Sequence, residues 1–249
     1  MRSGPDIEEM GDILNIAILL AGGSGVRVGS KLPKQFIEVA GKPIIAYTLQ
    51  TLQADPMIDE IVLVCIAEYI DRAMEICDHY AITKVKGIHP GGYDFEHSCL
   101  NGMNALRGKC TERDVVVIVS ADRPFVSTEE IHDAIATCER HGSGVAARKC
   151  SLCMFMVKED RTHSRDYQRE ALVQTATPWA FRFDPLMEAM DLFESGHFPD
   201  CEAYPLAIYA AAGHEIYFSK ASPNNFKITE FSDILLMEKI IETRGEDLP

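Results

Sequence analysis

Three short apolar runs constrain the fold of this chain most strongly. They cover residues 15–20, 61–66 and 115–119, and nearly every position in them is apolar. A strand that is apolar on both faces belongs in a parallel sheet covered by helices on both sides, because a half-solvated strand would alternate apolar and polar residues. Amphipathic segments separate the runs. This alternation predicts an α/β fold with a doubly wound, mostly parallel, Rossmann-like sheet and right-handed crossovers.

The same patterns predict the other elements. Pro43 opens a helix over residues 44–53, and Ser127 or Thr128 with Glu130 is a capping pattern for a helix that ends near Arg140. Further helices are predicted over residues 68–79, 98–106, 184–194, 200–212 and 232–243. Further strands are predicted over residues 82–86, 144–149, 152–158, 214–219 and 225–229.

The regular alternation of strands and helices stops near residue 150. Residues 144–149 and 152–158 are expected to pair with each other as strands, ahead of a polar segment over residues 159–168. We expect one domain over residues 1–249, from which residues 150–175 project as an arm.

Charge and composition exclude several classes of partner. The formal net charge is −14, from 24 Lys and Arg against 38 Asp and Glu. A chain this acidic is not expected to bind nucleic acid, so an anionic ligand must be held by a local cluster of cations. No apolar run is long enough for a membrane span, and residues 1–12 contain no signal-peptide core. We therefore expect a cytoplasmic protein without membrane contact.

The eight cysteines are expected to be reduced structural thiols in such a compartment. Cys150 and Cys153 form a single C-x-x-C motif without a second pair at zinc spacing. Structural thiols are favoured there over a metal or redox site.

Small and basic residues gather directly after the first strand, in the stretch LLAGGSGVRVGSKLPKQF. Glycine N–H groups can approach phosphate oxygens closely, and nearby cations supply the charge that a triphosphate needs. The residues concerned are Gly22, Gly23, Gly25, Arg27, Lys31 and Lys34. The spacing matches neither a Walker A loop nor G-x-G-x-x-G. A phosphate-binding loop is favoured over a purely structural turn.

The order of five motifs resembles one enzyme family. A-G-G-x-G-x-R-x-G followed by P-K-Q-F is similar to the nucleotidyltransferase loop of the methylerythritol-phosphate and ribitol-phosphate cytidylyltransferases. Four later segments resemble further motifs of that family, in the same order: Gly91-Gly92 with Ser98 and Leu100-Asn101-Gly102; Arg123-Pro124-Phe125; Arg169 with Leu172 and Thr177-Pro178; and Asn225-Phe226-Lys227-Ile228-Thr229. The resemblance runs from about residue 16 to residue 240.

The resemblance implies a fold, a reaction and site residues. The fold would be a GT-A-like nucleotidyltransferase sheet, and the reaction would transfer CMP from CTP to a phosphorylated polyol with release of pyrophosphate. Arg27, Lys34 and Lys227 would hold the reacting phosphates, and Arg169 would bind the incoming substrate, across a dimer contact made by the arm. The implied nucleotide-binding residues are Ala21, Gly22, Gly23, Gly25, Gly92, Ser98 and Arg123.

The family resemblance also implies a Mg²⁺ ion that bridges the phosphates. The family's metal-binding aspartate is Ser120 in this sequence, and Asp122 lies two residues further on, before Arg123. In that place Asp122 resembles the D-x-P-F aspartate of other nucleotidyltransferases, so it is the expected metal ligand. An aspartate that only caps the loop is the alternative.

Departures from the family pattern concentrate on the side of the acceptor. Phe95 stands in place of an arginine, Cys150-Ser151 in place of an aspartate–threonine pair, and Trp179 in place of the glutamine of T-P-Q. Loss of polar partners for acceptor hydroxyls is expected to alter specificity strongly. Two alternatives stay open: a sugar-phosphate nucleotidyltransferase with another NTP or acceptor, and a degenerate paralogue that binds nucleotide without turnover.

Overall fold

Seven strands form the central sheet. The computed structural model describes residues 13–23 and 32–244. The strand order is β11-β7-β10-β6-β1-β4-β5. The strands are β1 (Asn15–Ala21), β4 (Glu60–Cys65), β5 (Val85–Pro90), β6 (Val115–Ser120), β7 (Ser143–Lys149), β10 (Val173–Arg182) and β11 (Phe218–Lys220). Strand β10 runs antiparallel to both of its neighbours, and the other pairings are parallel. The predicted mostly parallel α/β sheet is confirmed.

Two apolar layers cover the sheet because successive residues of a strand point to opposite faces. On one face α1 (Ile44–Ala54), α2 (Ile70–His79) and α4 (Thr128–His141) pack against the odd-numbered residues of β1, such as Leu19. On the other face α3 (Phe95–Leu106), α5 (Phe183–Glu194) and α6 (Pro205–Ala211) pack against the even-numbered residues, such as Ile18. This is the doubly wound arrangement that the sequence predicts.

The last helix, α7 (Phe231–Arg244), belongs to a third and smaller cluster. Ile234 and Met237 pack there with Ile228, and with Phe125 from the turn after β6. A short ribbon of β2 (Glu38–Val39) and β3 (Lys42–Pro43) leads into α1 beside this cluster. The third cluster therefore packs against both the turn after β6 and the chain that leads into α1, near the carboxyl end of β6.

The predicted cap of α4 is confirmed in full. The Ser127 side chain accepts from the backbone N–H of Glu130, and the Glu130 carboxylate accepts from the backbone N–H of Ser127. These reciprocal bonds satisfy two donors that a helix N-terminus otherwise leaves open. Gly142 ends the helix with φ +91°, a left-handed conformation that glycine adopts without a steric penalty.

The predicted pairing of residues 144–149 with 152–158 is wrong. Strand β7 lies between β10 and β11, whereas β8 (Phe155–Val157) pairs with β9 (His163–Asp166) in a separate two-stranded sheet. Strand β9 falls in the segment that was expected to be only polar. Every residue from 151 to 171 is exposed, so neither strand has a buried face that would produce alternation in the sequence.

Residues 225–229 do not form the predicted strand. Two side chains and one backbone carbonyl form hydrogen bonds with the backbone of this irregular segment. Arg123 donates to the Asn225 carbonyl and Lys34 donates to the Ile228 carbonyl. The Ile228 N–H donates to the Asp122 carbonyl. With those partners the segment needs no strand neighbour.

Other bounds shift by a few residues. Strands β5 and β11 and helix α6 start three to five residues later than the sequence predicts, and α3 starts three residues earlier, at Phe95, because Asp94 caps it. Within residues 13–23 and 32–244, no helix has the length and apolar character that a membrane span requires.

Candidate active site

The carboxyl ends of β1 and β6 open onto a cavity of about 380 Å³. Parallel strands place their carboxyl ends at one edge, where open α/β sheets bind ligands. Gly22 and Gly23 follow β1 there, Ser120 ends β6, and Asp122 follows two residues later. The N-terminal turn of α3 closes another side of this cavity, which we call the larger cavity.

Close packing requires glycine at position 92 of the larger cavity and favours it at position 22. A Cβ on Gly92 would lie 2.7 Å from the backbone carbonyl carbon of His97, and a Cβ on Gly22 would lie 3.0 Å from Ser98 Oγ. The Gly92 N–H donates to Ser98 Oγ at 3.1 Å, and Ser98 Oγ donates to the Asp94 carbonyl at 2.7 Å. These contacts hold the first turn of α3 against the end of β1, so the helix N-terminus, which attracts anions, borders the cavity.

Two lysines converge on one carboxylate at the base of this cavity. Lys34 Nζ lies 2.6 Å from Asp122 Oδ2, and Lys227 Nζ lies 3.7 Å from the same oxygen. Lys34 is only 7% exposed, and its Nζ also donates to the Ile228 carbonyl at 2.7 Å. Asp122 Oδ1 is buried and has no hydrogen-bond partner within the described part of the chain. The cluster thus combines two cations with one carboxylate oxygen that is available to a ligand.

A second cavity, of about 150 Å³, adjoins the first. The two cavities share Phe95, Ser120 and Lys227 as lining residues. Thr175, Thr177 and Trp179 line this smaller cavity from β10, whose pairing with β7 shifts in register between Thr175 and Trp179. The remaining lining residues are Arg123 and Tyr204.

Burial lowers the pKa of the Arg123 guanidinium, although the neighbouring Asp122 carboxylate opposes the shift. Arg123 Nη1 donates to the Asn225 carbonyl at 2.7 Å. An arginine remains charged even when its pKa falls. Arg123 therefore brings a positive charge to the wall of the smaller cavity.

A buried polar network holds the segment that carries Lys227. Glu130 Oε1 accepts from the Ser222 N–H at 2.7 Å and from Asn225 Nδ2 at 3.0 Å, and Asn225 Nδ2 also donates to the Thr177 carbonyl at 2.8 Å. Glu130 and Asn225 are both buried. The cap of α4 is thereby tied to the edge of the sheet that borders both cavities.

Most of the predicted site residues meet at these cavities. Of the expected residues that the structure describes, the following line the larger cavity: Gly22, Gly23, Lys34, Gly92, Ser98, Asp122 and Lys227. Ala21 lies buried at the end of β1, where its carbonyl accepts from Gln35 Nε2 at 2.5 Å. Arg123 lines only the smaller cavity. Gly25 and Arg27 lie outside the described residues.

Arg169 lies apart from both cavities of its own chain. It sits in an exposed 3-10 turn, Arg169–Ala171, beyond β9, with its nearest described carboxylate that of Glu170 at 3.6 Å. Tyr204 was not predicted as a site residue, because it precedes α6 in a segment without a motif. The link from Glu130 to Asn225 was not predicted either, because a capping pattern does not indicate it.

Comparisons with known proteins agree with this arrangement. The family model of 2-C-methyl-D-erythritol 4-phosphate cytidylyltransferase (IspD) matches residues 15–243. A ribitol-5-phosphate cytidylyltransferase of Lacticaseibacillus paracasei is 33% identical over 229 residues, which cover 92% of this chain and 98% of that protein. A 2-C-methyl-D-erythritol 4-phosphate cytidylyltransferase of Clostridium botulinum is 32% identical over 232 residues, which cover 92% of this chain and 97% of that protein.

A solved structure confirms the fold. The crystal structure of 4-diphosphocytidyl-2C-methyl-D-erythritol synthase from Anaerococcus prevotii superposes with a TM-score of 0.79 at 22% identity, covering 92% of this chain and 96% of that chain. The family match spans nearly the whole sheet and both cavities. The chain therefore belongs to the 2-C-methyl-D-erythritol 4-phosphate cytidylyltransferase family of nucleotidyltransferases, as its ordered motifs predicted.

Proposed function

We propose that this protein transfers CMP from CTP to a phosphorylated polyol, with CTP in the larger cavity and the acceptor in the smaller one. The observation that carries the proposal is the shared wall of Phe95, Ser120 and Lys227 between the two cavities. Two substrates bound on either side of that wall would meet at Lys227. The names of the relatives support a phosphorylated polyol as the acceptor.

This nucleotidyl transfer requires neutralisation of negative charge more than covalent catalysis. An oxygen of the acceptor phosphate forms a bond to the α-phosphorus of CTP, and the bond from that phosphorus to the bridging oxygen of pyrophosphate breaks. Negative charge grows on the leaving pyrophosphate and on the oxygens around the α-phosphorus. Lys34 and Lys227 supply cations at the base of the larger cavity, where a positioned charge stabilises the transition state most effectively.

The proposal includes Mg²⁺, with Asp122 as its protein ligand. Magnesium prefers carboxylate oxygens and usually keeps several waters beside one or two protein carboxylates and the substrate phosphates. Asp122 Oδ1 fits that requirement, because it lies buried at the cavity without a protein donor among the described residues. When bound, the ion would supply positive charge to the phosphates of the nucleotide. Lys34 holds the other carboxylate oxygen and so fixes the orientation of Asp122.

The proposal also includes a homodimer formed through the arm, which places Arg169 near the acceptor site of the second copy. The arm exposes a run of apolar side chains: Leu152, Phe155, Met156 and Val157 are 50–69% exposed. Exposed apolar side chains grouped in one short segment are typical of an interaction site. Arg169 reaches neither cavity of its own chain, which supports a role across the dimer contact.

The test is pyrophosphate release from each of the four NTPs with Mg²⁺, against a panel that includes ribitol 5-phosphate and methylerythritol 4-phosphate. We expect turnover with CTP and one polyol phosphate. Lys227→Met should lower kcat by roughly 100-fold or more, whereas Lys109→Met, at an exposed turn after α3, should match the parent protein.

Other outcomes would replace the proposal. Turnover with a different NTP or a sugar phosphate would identify a sugar-phosphate nucleotidyltransferase. Stabilisation by CTP without pyrophosphate release for any acceptor would identify a nucleotide-binding paralogue that has lost the reaction.

A further inference from the structure

We infer that the smaller cavity selects its acceptor through an aromatic wall, formed by Phe95, Trp179 and Tyr204, against which the carbon skeleton of the acceptor packs. The inference rests on the proposed function and adds the basis of acceptor recognition. All three rings line the cavity, and they come from three different elements. Phe95 begins α3, Trp179 lies on β10, and Tyr204 precedes α6.

The rings hold one another in a fixed arrangement. Phe95 stacks on Tyr204 with ring centroids 5.6 Å apart and planes inclined by 25°. Trp179 meets both edge-on, at 5.8 Å from Phe95 and 5.2 Å from Tyr204. Such offset and edge-to-face pairs are the favoured geometries of aromatic rings. Trp179 is only 2% exposed, whereas Phe95 and Tyr204 are half-buried, so those two rings present more of their surface.

The indole of Trp179 acts through its shape. Its Nε1 is buried and has no acceptor within the described part of the chain. The N–H therefore contributes no protein hydrogen bond that fixes the ring, and the two edge-on contacts position it instead. Removing the ring is expected to loosen the wall, which couples Trp179 to acceptor binding.

Polar groups line the same cavity beside the rings. Ser120, Thr175 and Thr177 provide hydroxyl or backbone partners, and Arg123 and Lys227 provide positive charge. Lys227 Nζ lies 5.9 Å from the centroid of the Phe95 ring, so the cation borders the aromatic wall. A phosphate is expected at the cations, and hydroxyl groups along the threonines.

This division defines the class of acceptor. A hydroxyl turned toward the face of a ring would lose its bonds to water and gain none from the ring carbons, whereas carbon–hydrogen surface there is buried favourably. The smaller cavity has less than half the volume of the larger one. The acceptor is therefore a compact polyol phosphate whose hydroxyls meet the threonines and whose carbon–hydrogen surface meets the rings.

Trp179 gives a direct test, because it is the only tryptophan of the chain. Its fluorescence is measured while ribitol 5-phosphate or methylerythritol 4-phosphate is added, with and without a non-hydrolysable CTP analogue. We expect a saturable change with the acceptor that the enzyme turns over, and no saturable change with inorganic phosphate alone. Turnover of an acceptor that leaves the fluorescence unchanged under both conditions would overturn the inference and leave the proposed function intact.

Tyr204→Leu provides the second measurement, since it removes a ring of the wall from a position whose side chain does not cap α6. We expect the KM for the acceptor to rise by about tenfold or more while the KM for CTP changes by less than about threefold. Tyr204→Phe, which keeps the ring, should recover most of this loss. Phe218→Leu, which removes an exposed ring on β11, is the matched control.

Two results would contradict the aromatic wall. One is an acceptor KM that is the same in Tyr204→Leu and in Phe218→Leu. The other is a rise in the KM for CTP with no rise in the KM for the acceptor. Absence of pyrophosphate release in the parent protein would instead refute the proposed function, so the two failures are distinguishable.

Discussion

Replacing Glu130 by glutamine tests how the segment that carries Lys227 is held at the site. One carboxylate oxygen of Glu130 accepts from the Ser127 N–H at 3.1 Å, and the other accepts from the Ser222 N–H and Asn225 Nδ2. The side chain is buried, at 4% exposure. Glutamine has one acceptor oxygen, so its NH₂ group must face N–H donors on one of the two sides.

The loss of stability depends on which of these hydrogen bonds the glutamine side chain cannot make. Glutamine replaces glutamate well in a capping box, so we expect its oxygen to stay with Ser127 and its NH₂ group to face the segment. Two hydrogen bonds to a charged group disappear there, each worth about 1.5–3 kcal/mol when measured singly. Because such losses do not add fully, the free energy of unfolding should fall by roughly 2–4 kcal/mol. In a chain of this size Tm should then fall by about 5–15 °C.

The assay compares kcat at a temperature at which both proteins are folded. We expect kcat to fall by about tenfold or more, because a displacement of Lys227 by an ångström is enough to misplace its charge. Glu129→Gln is the matched control, since Glu129 lies exposed in the same first turn of α4. Asn225→Ala should lower kcat by a similar factor.

A double variant that combines Glu130→Gln with Asn225→Ala distinguishes a role in positioning Lys227 from a general loss of stability. If Glu130 acts through Asn225, the double variant should be no slower than the slower single variant, because residues of one network are not additive. A folded Glu130→Gln protein with the kcat of the parent would refute the reasoning. So would a double variant whose losses simply multiply.

Three further predictions concern the nucleotide, the metal and the dimer. Gly92→Ala should abolish the thermal stabilisation by CTP, because the added Cβ would approach the His97 backbone to 2.7 Å. Gly23→Ala should retain more of that stabilisation, because the nearest contact of its Cβ would be Lys34 Cε at 3.8 Å. Equal losses in the two variants would contradict this prediction. Chelation of Mg²⁺ should reduce CTP stabilisation of the parent but not of Asp122→Asn, as isothermal or thermal-shift titrations would show. Phe155→Glu should convert a dimer into a monomer in light scattering, and a monomeric parent would refute the arm contact.

The sequence predicts those parts of the fold whose burial leaves a pattern. Strands β1, β4 and β6 are buried on both faces, so their apolar runs match the observed bounds within one residue. The edge strand β11 has only three residues, and β8 is exposed at all three of its residues. Their positions depend on what they pair with, and pairing is not encoded in a local pattern.

The candidate site divides in the same way. Gly22 and Asp122 follow parallel strands, so topology alone brings them to one edge, and the chemistry of glycine, lysine and carboxylate indicates phosphate and metal. The predicted helix over residues 200–212 includes Tyr204, whereas the structure places this residue in the irregular segment before α6. The expected strand at residues 225–229 fails because side chains of distant residues serve as its backbone partners, a form of tertiary control that a short window does not contain.

The limited overlap between the two cavities bears on how such an enzyme can change over evolution. Most residues that line the larger cavity, including Gly22 and Lys34, have no part in the smaller one, and the same holds for Thr175 and Tyr204 in reverse. Substitutions on β10 or before α6 can therefore reshape the smaller cavity while the groups that line the larger cavity stay in place. The relatives include proteins named for ribitol phosphate and for methylerythritol phosphate, each about one-third identical to this chain. Such a separation of the two cavities permits acceptors to differ in this way. On the proposed function, a new acceptor would require substitutions only in the smaller cavity, and the groups that act on the phosphates would stay unchanged.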